Sequence, residues 1–268
     1  MTPIPIPQQV PVTEATAMLP GAHLWYWDTG GNGEPIVLIH PASGSGLIWL
    51  YQQPIFAKKG YRVIGYSRRG FYKSDPIDRA NPGIASEDLH NLIEFLGLKT
   101  FHAVSCAAGG GVAVDYAISH PDRLRSLVVS NNPAGVREGY IAELWLGNRP
   151  QKWKEFPRWF WEVGPSYRAA NPEGLRLWKE NEEKSITGYA SGQKSAHVVT
   201  EKTLESLETP ILLMTGEADL ATPPYILRMV AKHIRHREVV IVPESGHSAY
   251  WECPDIFNRE VRDFVNKH

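Results

Sequence analysis

The chain has 268 residues, a hydrophobic content of 43% and a formal net charge of −1. This length is enough for a buried core in one large domain, and the charge balance argues against nucleic acid or an anionic membrane surface as a partner. The two cysteines are too few for a disulfide scaffold and favour a cytoplasmic protein.

Short apolar runs alternate with helical patterns along the first half of the chain. The pattern predicts strands at residues 23–27, 35–40, 61–66, 101–106 and 124–130, and helices at 47–59, 87–96 and 109–120. Ser86 is expected to cap the second of these helices through its side chain. The alternation predicts an α/β fold, with helices on both faces of a mostly parallel sheet.

The strand–helix rhythm stops between residues 133 and 208, where only helical segments are predicted. It resumes with a strand at 210–216, a helix at 224–234, a strand at 238–242 and a helix at 254–267. We therefore expect a core formed by residues 1–132 and 209–268, and a helical cap formed by residues 133–208. The cap is expected to cover the carboxyl ends of the strands, where open α/β sheets bind their ligands.

The predicted cap is rich in aromatic side chains. Large side chains can give a small helical layer its own core, and some of them can line an apolar pocket. This composition predicts a bulky, largely apolar or aromatic substrate. The aromatic residues assigned to substrate binding are Trp145, Trp153, Phe156, Trp159, Phe160 and Trp178. The cap also contains Trp161, Tyr167 and Tyr189.

A run of very small residues joins the strand at 101–106 to the helix that follows it. A nucleophile elbow, G-x-S-x-G, needs small residues two positions before and two after the nucleophile, because the nucleophile lies on a strained turn. Ser105 and Gly109 have this spacing around Ala107. Ala107 therefore stands where a nucleophile is expected.

The segment around Ala107 resembles the V-G-H-S-M-G-G elbow of the α/β-hydrolase family, with Ser105 for the first glycine and Ala107 for the serine. Residues 40–46 resemble the family's H-G-x oxyanion loop, with Pro41 in place of glycine, and residues 66–75 resemble its D-x-R-G-x-G-x-S segment. The resemblance implies a mostly parallel eight-stranded sheet flanked by helices, with a helical cap inserted after strand 6. It also implies a serine-type esterase or lactonase.

The resemblance further implies a catalytic acid and a catalytic base. Asp219 matches the family's acid in a G-x-x-D segment, with Glu217 as the nearby competing carboxylate, and His247 matches the base after the last strand. The chain order of nucleophile position, Asp and His is the order of this fold. With a serine at position 107, His247 would act as general base and Asp219 would orient the imidazole.

The expected oxyanion hole consists of backbone N–H groups. Ala108 follows the nucleophile position and supplies one donor, and Ala42 is the expected second donor. Pro41 has no N–H, but Ala42 keeps its own. Ser43 is assigned to the substrate-binding residues because its hydroxyl can assist at this loop.

Ala107 leaves three interpretations open. The first is a serine hydrolase in which alanine replaces the nucleophilic serine, giving an inactive variant. The second is a protein that uses the Asp–His pair without a covalent intermediate, as a lyase, a C–C hydrolase or a cofactor-free oxygenase. The third is a non-catalytic, ligand-binding homologue with the α/β-hydrolase fold. Cys106 and Ser105 are out of register for the nucleophile.

The remaining residues suggest no other chemistry. The histidines show no metal-ligand spacing, and neither a metal nor a cofactor is implied. The expected partner is a small-molecule ester or lactone, with no nucleic acid and no membrane, and the oligomeric state cannot be inferred from the sequence.

Overall fold

A computed structural model describes residues 1–187 and 192–268, apart from the side chain of Lys154. Eight strands form one sheet: β1 (Thr13–Leu19), β2 (Ala22–Asp28), β3 (Pro35–Ile39), β4 (Arg62–Tyr66), β5 (Phe101–Cys106), β6 (Leu124–Ser130), β7 (Ile211–Gly216) and β8 (Arg237–Val242). Their order is β1-β2-β4-β3-β5-β6-β7-β8. β2 pairs antiparallel with β1 and with β4, and all other neighbours pair parallel. The predicted eight-stranded, mostly parallel sheet is confirmed.

The central strands are apolar because both faces of the sheet are covered. Every residue of β5 and of β7 is buried, as expected for parallel strands between two helical layers. One hydrophobic cluster lies on each side of the sheet; the first includes Phe101 and Tyr116, and the second includes Trp178 and Trp251.

The helices of the core are α1 (Gln53–Ala57), α2 (Ala85–Phe95), α3 (Ala108–Ser119), α9 (Pro224–Ala231), α10 (Ala249–Glu252) and α11 (Pro254–Val265). Between β6 and β7 the described residues form no strand of the sheet, and they contain α4 (Tyr140–Gly147), α5 (Arg158–Glu162), α6 (Pro165–Ala170), α7 (Pro172–Ser185) and α8 (Glu201–Glu205). These five helices lie within the range predicted for the cap. None of the helices among the described residues is long and apolar enough to cross a membrane.

Three local predictions differ from the structure. β1 was not predicted, because its exposed polar positions hide the strand pattern and its pairing with β2 is a tertiary contact. The helix predicted at 47–59 is shortened to α1, after a short 3-10 helix at Gly46–Ile48. Ser86 does not cap α2: it lies inside the helix and donates a hydrogen bond to the buried Asp115 carboxylate at 2.5 Å.

Candidate active site

Ala107 occupies a sharp turn between β5 and α3, with φ 47° and ψ −118°. Positive φ is uncommon for a residue with a Cβ atom and marks a strained backbone. Hydrogen bonds hold the turn: the N–H of Ala107 donates to the carbonyl of Ser130 at 2.8 Å, and its carbonyl accepts from the Asn132 amide at 2.7 Å. This is the strand–turn–helix geometry that exposes a nucleophile at an elbow.

The glycines after Ala107 are required by close packing. A Cβ atom on Gly109 would lie 2.3 Å from the carbonyl oxygen of Ile39, and one on Gly110 would lie 2.8 Å from the Cβ of Asn132. Both distances are shorter than any normal contact. Gly109 therefore allows α3 to approach β3 closely enough to form the elbow.

The two side chains before Ala107 are fully buried. The Ser105 hydroxyl donates to the carbonyl of Val128 on the neighbouring strand at 2.6 Å. The Cys106 thiol is fully buried and lies 3.8 Å from the side-chain oxygen of Asn131. Burial raises the pKa of this thiol well above its ordinary value, so a reactive thiolate is disfavoured.

Asp219 and His247 lie in direct contact in the loops after β7 and β8. The Nδ1 atom of His247 lies 2.9 Å from Oδ1 and 2.8 Å from Oδ2 of Asp219. The exposed fractions are 3% for Asp219 and 6% for His247, so water screens the pair only weakly. The competing carboxylate of Glu217 is exposed and instead accepts the N–H of Glu244 at 3.2 Å.

The carboxylate of Asp219 is fixed by four groups besides the imidazole. Oδ1 accepts the N–H groups of Ala221 and Thr222, both at 2.8 Å, and Oδ2 accepts the Thr215 hydroxyl at 2.8 Å and the Asn131 amide at 3.0 Å. Burial alone would raise the pKa of Asp219, but His247 and these hydrogen bonds hold it below its ordinary value. The acid is therefore an ionised, immobile partner for the imidazole.

The pKa of His247 is raised. Burial alone would lower it, but the Asp219 carboxylate raises it, and Glu162 and Glu252 act in the same direction. Glu252 also fixes the histidine loop, because its carboxylate accepts the N–H groups of Gly246 and Ser248 at 2.9 and 3.0 Å. With Nδ1 on the acid side, Nε2 is the nitrogen left for proton transfer.

A cavity of about 190 Å³ lies beside Ala107 and is also lined by His247, Ala42 and Ala108. Neither Ala42 nor Ala108 donates its N–H to an acceptor in the part of the chain that the structure describes. Ala108 is the first residue of α3, where N–H groups have no partner within the helix. The two expected oxyanion donors therefore lie at one cavity with the nucleophile position and the base.

The same cavity contains a carboxylate that sequence reasoning missed. Glu162, the last residue of α5, is 3% exposed, accepts a hydrogen bond from the Ser43 hydroxyl and lies 3.9 Å from the Arg158 guanidinium. Burial raises its pKa to about 7. A glutamate in a charged helical segment gives no local signal of burial, and only the docking of the cap places it here.

The aromatic residues assigned to substrate binding divide into those that line a cavity and those that do not. Trp145 and Trp153 line the cavity beside Ala107, together with Trp161, whose ring centre lies 6.2 Å from that of His247. Phe156 and Phe160 line an adjacent cavity of about 480 Å³, which shares Trp153 and Trp161 with the first.

The remaining assigned residues lie apart from these linings. Trp178 is fully buried and donates its indole N–H to the Ser248 hydroxyl at 3.2 Å, so it packs the cap onto the histidine loop. Trp159 lies under the cations of Arg168 and Lys179. Ser43 is fully buried and bonds Glu162. Tyr189 is outside the described residues.

Arg137 and Arg149 also line the cavity beside Ala107. The sequence composition predicted an apolar pocket, whereas this one combines three indole rings with two guanidinium groups and a carboxylate. The described residues contain no group of three or more side chains suited to holding a metal ion.

A family model described as the alpha/beta hydrolase family matches residues 36–260 of the chain. The chain belongs to the alpha/beta hydrolase family. Its relatives include the AB hydrolase superfamily protein YisY of Bacillus subtilis, which is 25% identical over 88% of this chain and 93% of its own length. The serine hydrolase BPHL of Mus musculus is 27% identical over 95% of this chain and 87% of its own.

Solved structures share this fold. The enol-lactonase from Burkholderia xenovorans LB400 superposes with a TM-score of 0.75 at 23% sequence identity, covering 94% of this chain and all of its own. The family and the hydrolases among its relatives support the assignment of this chain as a hydrolase.

Proposed function

We propose that the chain is a carboxylic ester or lactone hydrolase of the serine type, in which Ala107 stands at the nucleophile position and prevents turnover. The observation that carries this proposal is the strained backbone of Ala107, with φ 47°, next to a buried Asp219–His247 pair. A strained turn costs stability of about 1–3 kcal/mol. This cost is explained if the turn serves to present a nucleophile to the base.

The chemistry follows from the geometry once position 107 carries a hydroxyl. His247 takes the hydroxyl proton through Nε2 as the oxygen attacks the carbonyl carbon, and Asp219 stabilises the imidazolium. The N–H groups of Ala108 and Ala42 stabilise the oxyanion. The imidazolium then protonates the leaving oxygen, and water, activated by the same histidine, releases the acid.

The test is the variant Ala107→Ser, assayed with 4-nitrophenyl acetate, phenyl acetate and aryl lactones. We expect turnover at least about 10³-fold above the unaltered chain, since both oxyanion donors and the base are present. The matched control is Ala108→Ser, which adds a hydroxyl one residue further along. The proposal fails if Ala107→Ser is no faster than this control.

Glu162 favours a second candidate, acid–base chemistry without a covalent intermediate. Its carboxyl has a pKa of about 7 and lines the same cavity as His247, so the two groups can exchange protons with a substrate near neutral pH. In this case the unaltered chain is active and loses activity in both His247→Ala and Glu162→Gln. Ligand binding without turnover in either the alanine or the serine form would instead support a binding protein.

A further inference from the structure

Arg137 and Arg149 both lie against the ring of Trp145 in the cavity beside Ala107. The guanidinium carbon of Arg137 lies 5.5 Å from the ring centre of Trp145, and that of Arg149 lies 4.6 Å from it. Arg149 also lies 5.7 Å from the ring of Trp153. Trp145 is itself anchored, because its indole N–H donates to the carbonyl of Ala221 in the loop that carries Asp219. The two cations therefore lie against a tryptophan that is anchored to the loop of Asp219.

Neither cation is neutralised by a carboxylate of the described residues. Arg137 keeps an exposed surface and Arg149 is half-buried. No such carboxylate contributes to the pKa of either; partial desolvation lowers both, and the charge of Arg137 lowers the pKa of Arg149 further. The Nε atom of Arg149 is buried without a hydrogen-bond partner in the part of the chain that the structure describes. A buried donor without a partner and two neighbouring like charges are both unfavourable in a folded protein.

Two other arginines of the cap are paired with carboxylates, whereas Arg168 donates to the carbonyl of Phe160 at 3.1 Å. Arg158 lies 3.3 Å from Glu182, and Arg176 lies 2.5 Å from Glu173. The carboxylate in the cavity, that of Glu162, is engaged by Ser43 and lies near Arg158. Within the described residues, Arg137 and Arg149 thus line the cavity beside Ala107 without a carboxylate partner.

We propose that Arg137 and Arg149 form a subsite for a carboxylate group of the substrate, so that the ester or lactone carries a negative charge. This inference rests on the proposed function for the identity of the reacting group. A substrate carboxylate in this cavity would accept charge-assisted hydrogen bonds from the guanidinium N–H groups that face it. The indole rings would pack against an aromatic or unsaturated body of the same substrate.

The test compares two ligands of nearly equal shape on the unaltered chain, which has no nucleophile to consume them. Methyl 4-carboxybenzoate is anionic at pH 7.5, whereas methyl 4-carbamoylbenzoate is neutral; their 3-substituted isomers extend the comparison to a second geometry. Isothermal titration calorimetry measures both affinities. We expect at least one acid to bind about tenfold more tightly than its amide, with a preference that falls as NaCl is added.

The variants Arg137→Gln and Arg149→Gln are expected to remove most of this preference while leaving the affinity for the amide nearly unchanged. The control is Arg168→Gln, another cap arginine, which lies 4.7 Å from the ring of Phe160 rather than in this cavity. The proposal is overturned if each amide binds as tightly as its acid, if no acid binds at millimolar concentration, or if the control loses the preference equally.

This experiment separates the subsite from the proposed function. Ester hydrolysis is tested by turnover of neutral aryl esters in Ala107→Ser, which does not require an anionic substrate. The carboxylate subsite is tested by binding to the alanine form, which requires no turnover.

Discussion

The Nδ1 atom of His247 lies 2.8 Å from Oδ2 of Asp219, and this contact determines which imidazole nitrogen is available for chemistry. A histidine whose Nδ1 is held by a carboxylate has Nε2 as its basic nitrogen. Because Asp219 is itself held by four other donors, the imidazole cannot easily change its partner. We expect His247 to act as a base once position 107 carries a hydroxyl, whereas Ala107 supplies no proton to accept.

Removing the acid's charge tests this arrangement. In an Ala107→Ser background, Asp219→Asn is expected to lower kcat by about 10³–10⁴-fold, because the amide favours the wrong imidazole tautomer. Steady-state kinetics with 4-nitrophenyl acetate measures the change. The control Glu217→Gln alters the exposed neighbouring carboxylate and should keep most of the activity; equal losses in the two variants would contradict the assignment of Asp219.

The pH dependence of Ala107→Ser follows from the raised pKa of His247. The neutral imidazole is the active base, so kcat/KM should rise with pH and reach half its maximum above the ordinary histidine value of 6.5. Replacing Glu162 by Gln removes a negative charge that raises this pKa, so the midpoint should move to lower pH. A midpoint that is unchanged in Glu162→Gln would show that the carboxylate does not act on His247.

Glu162 should also make stability depend on pH. Its pKa is about 7 in the folded protein against an ordinary 4.5, so between these values the folded state binds more protons than the unfolded state. The free energy of unfolding therefore falls as pH rises through this window, by at most about 3 kcal/mol for this group. Urea unfolding at pH 4.5 and pH 7.5 should show Glu162→Gln gaining stability relative to the unaltered chain as pH rises. The control Glu183→Gln changes an exposed carboxylate of α7, and an equal gain in the two variants would contradict the assignment to Glu162.

Two glycines in α3 provide a matched pair for the elbow. Gly109→Ala places a Cβ atom 2.3 Å from the Ile39 carbonyl oxygen, whereas Gly111→Ala has its nearest neighbour at 4.0 Å. We expect Gly109→Ala to lose several kcal/mol of unfolding free energy, and Gly111→Ala to gain up to about 1 kcal/mol from helix propensity. Thermal unfolding of both variants measures the difference, and similar stabilities would contradict the close packing of α3 on β3.

The residues of the site that local sequence patterns predict are those that follow the strands. Ala107 and Asp219 follow the buried strands β5 and β7, and His247 follows the partly exposed edge strand β8. The small residues around Ala107 indicate the turn directly. Glu162 was missed because its burial depends on how the cap docks, which no local pattern encodes. The prediction that Trp178 binds substrate is wrong because local sequence does not show which face of a cap helix is buried. An aromatic residue there can face the ligand or the core, and Trp178 faces the core.

Strand β1, at the edge of the sheet, also depends on a tertiary contact that local sequence does not show. β1 alternates polar and apolar residues weakly, and its pairing with β2 across a tight turn stabilises it as a strand. The central strands β5 and β7 were predicted closely because burial on both faces makes them continuously apolar.

Covalent labelling by a fluorophosphonate, followed by intact-mass and peptide mass spectrometry, shows whether a serine at position 107 is a nucleophile. We expect one adduct, on residue 107, which forms rapidly at pH 8 and is lost in Ala107→Ser combined with His247→Ala. Ala108→Ser and the unaltered chain should remain unlabelled. An Ala107→Ser protein that folds normally and gains no adduct would contradict the claim that this site is a serine hydrolase lacking only its nucleophile.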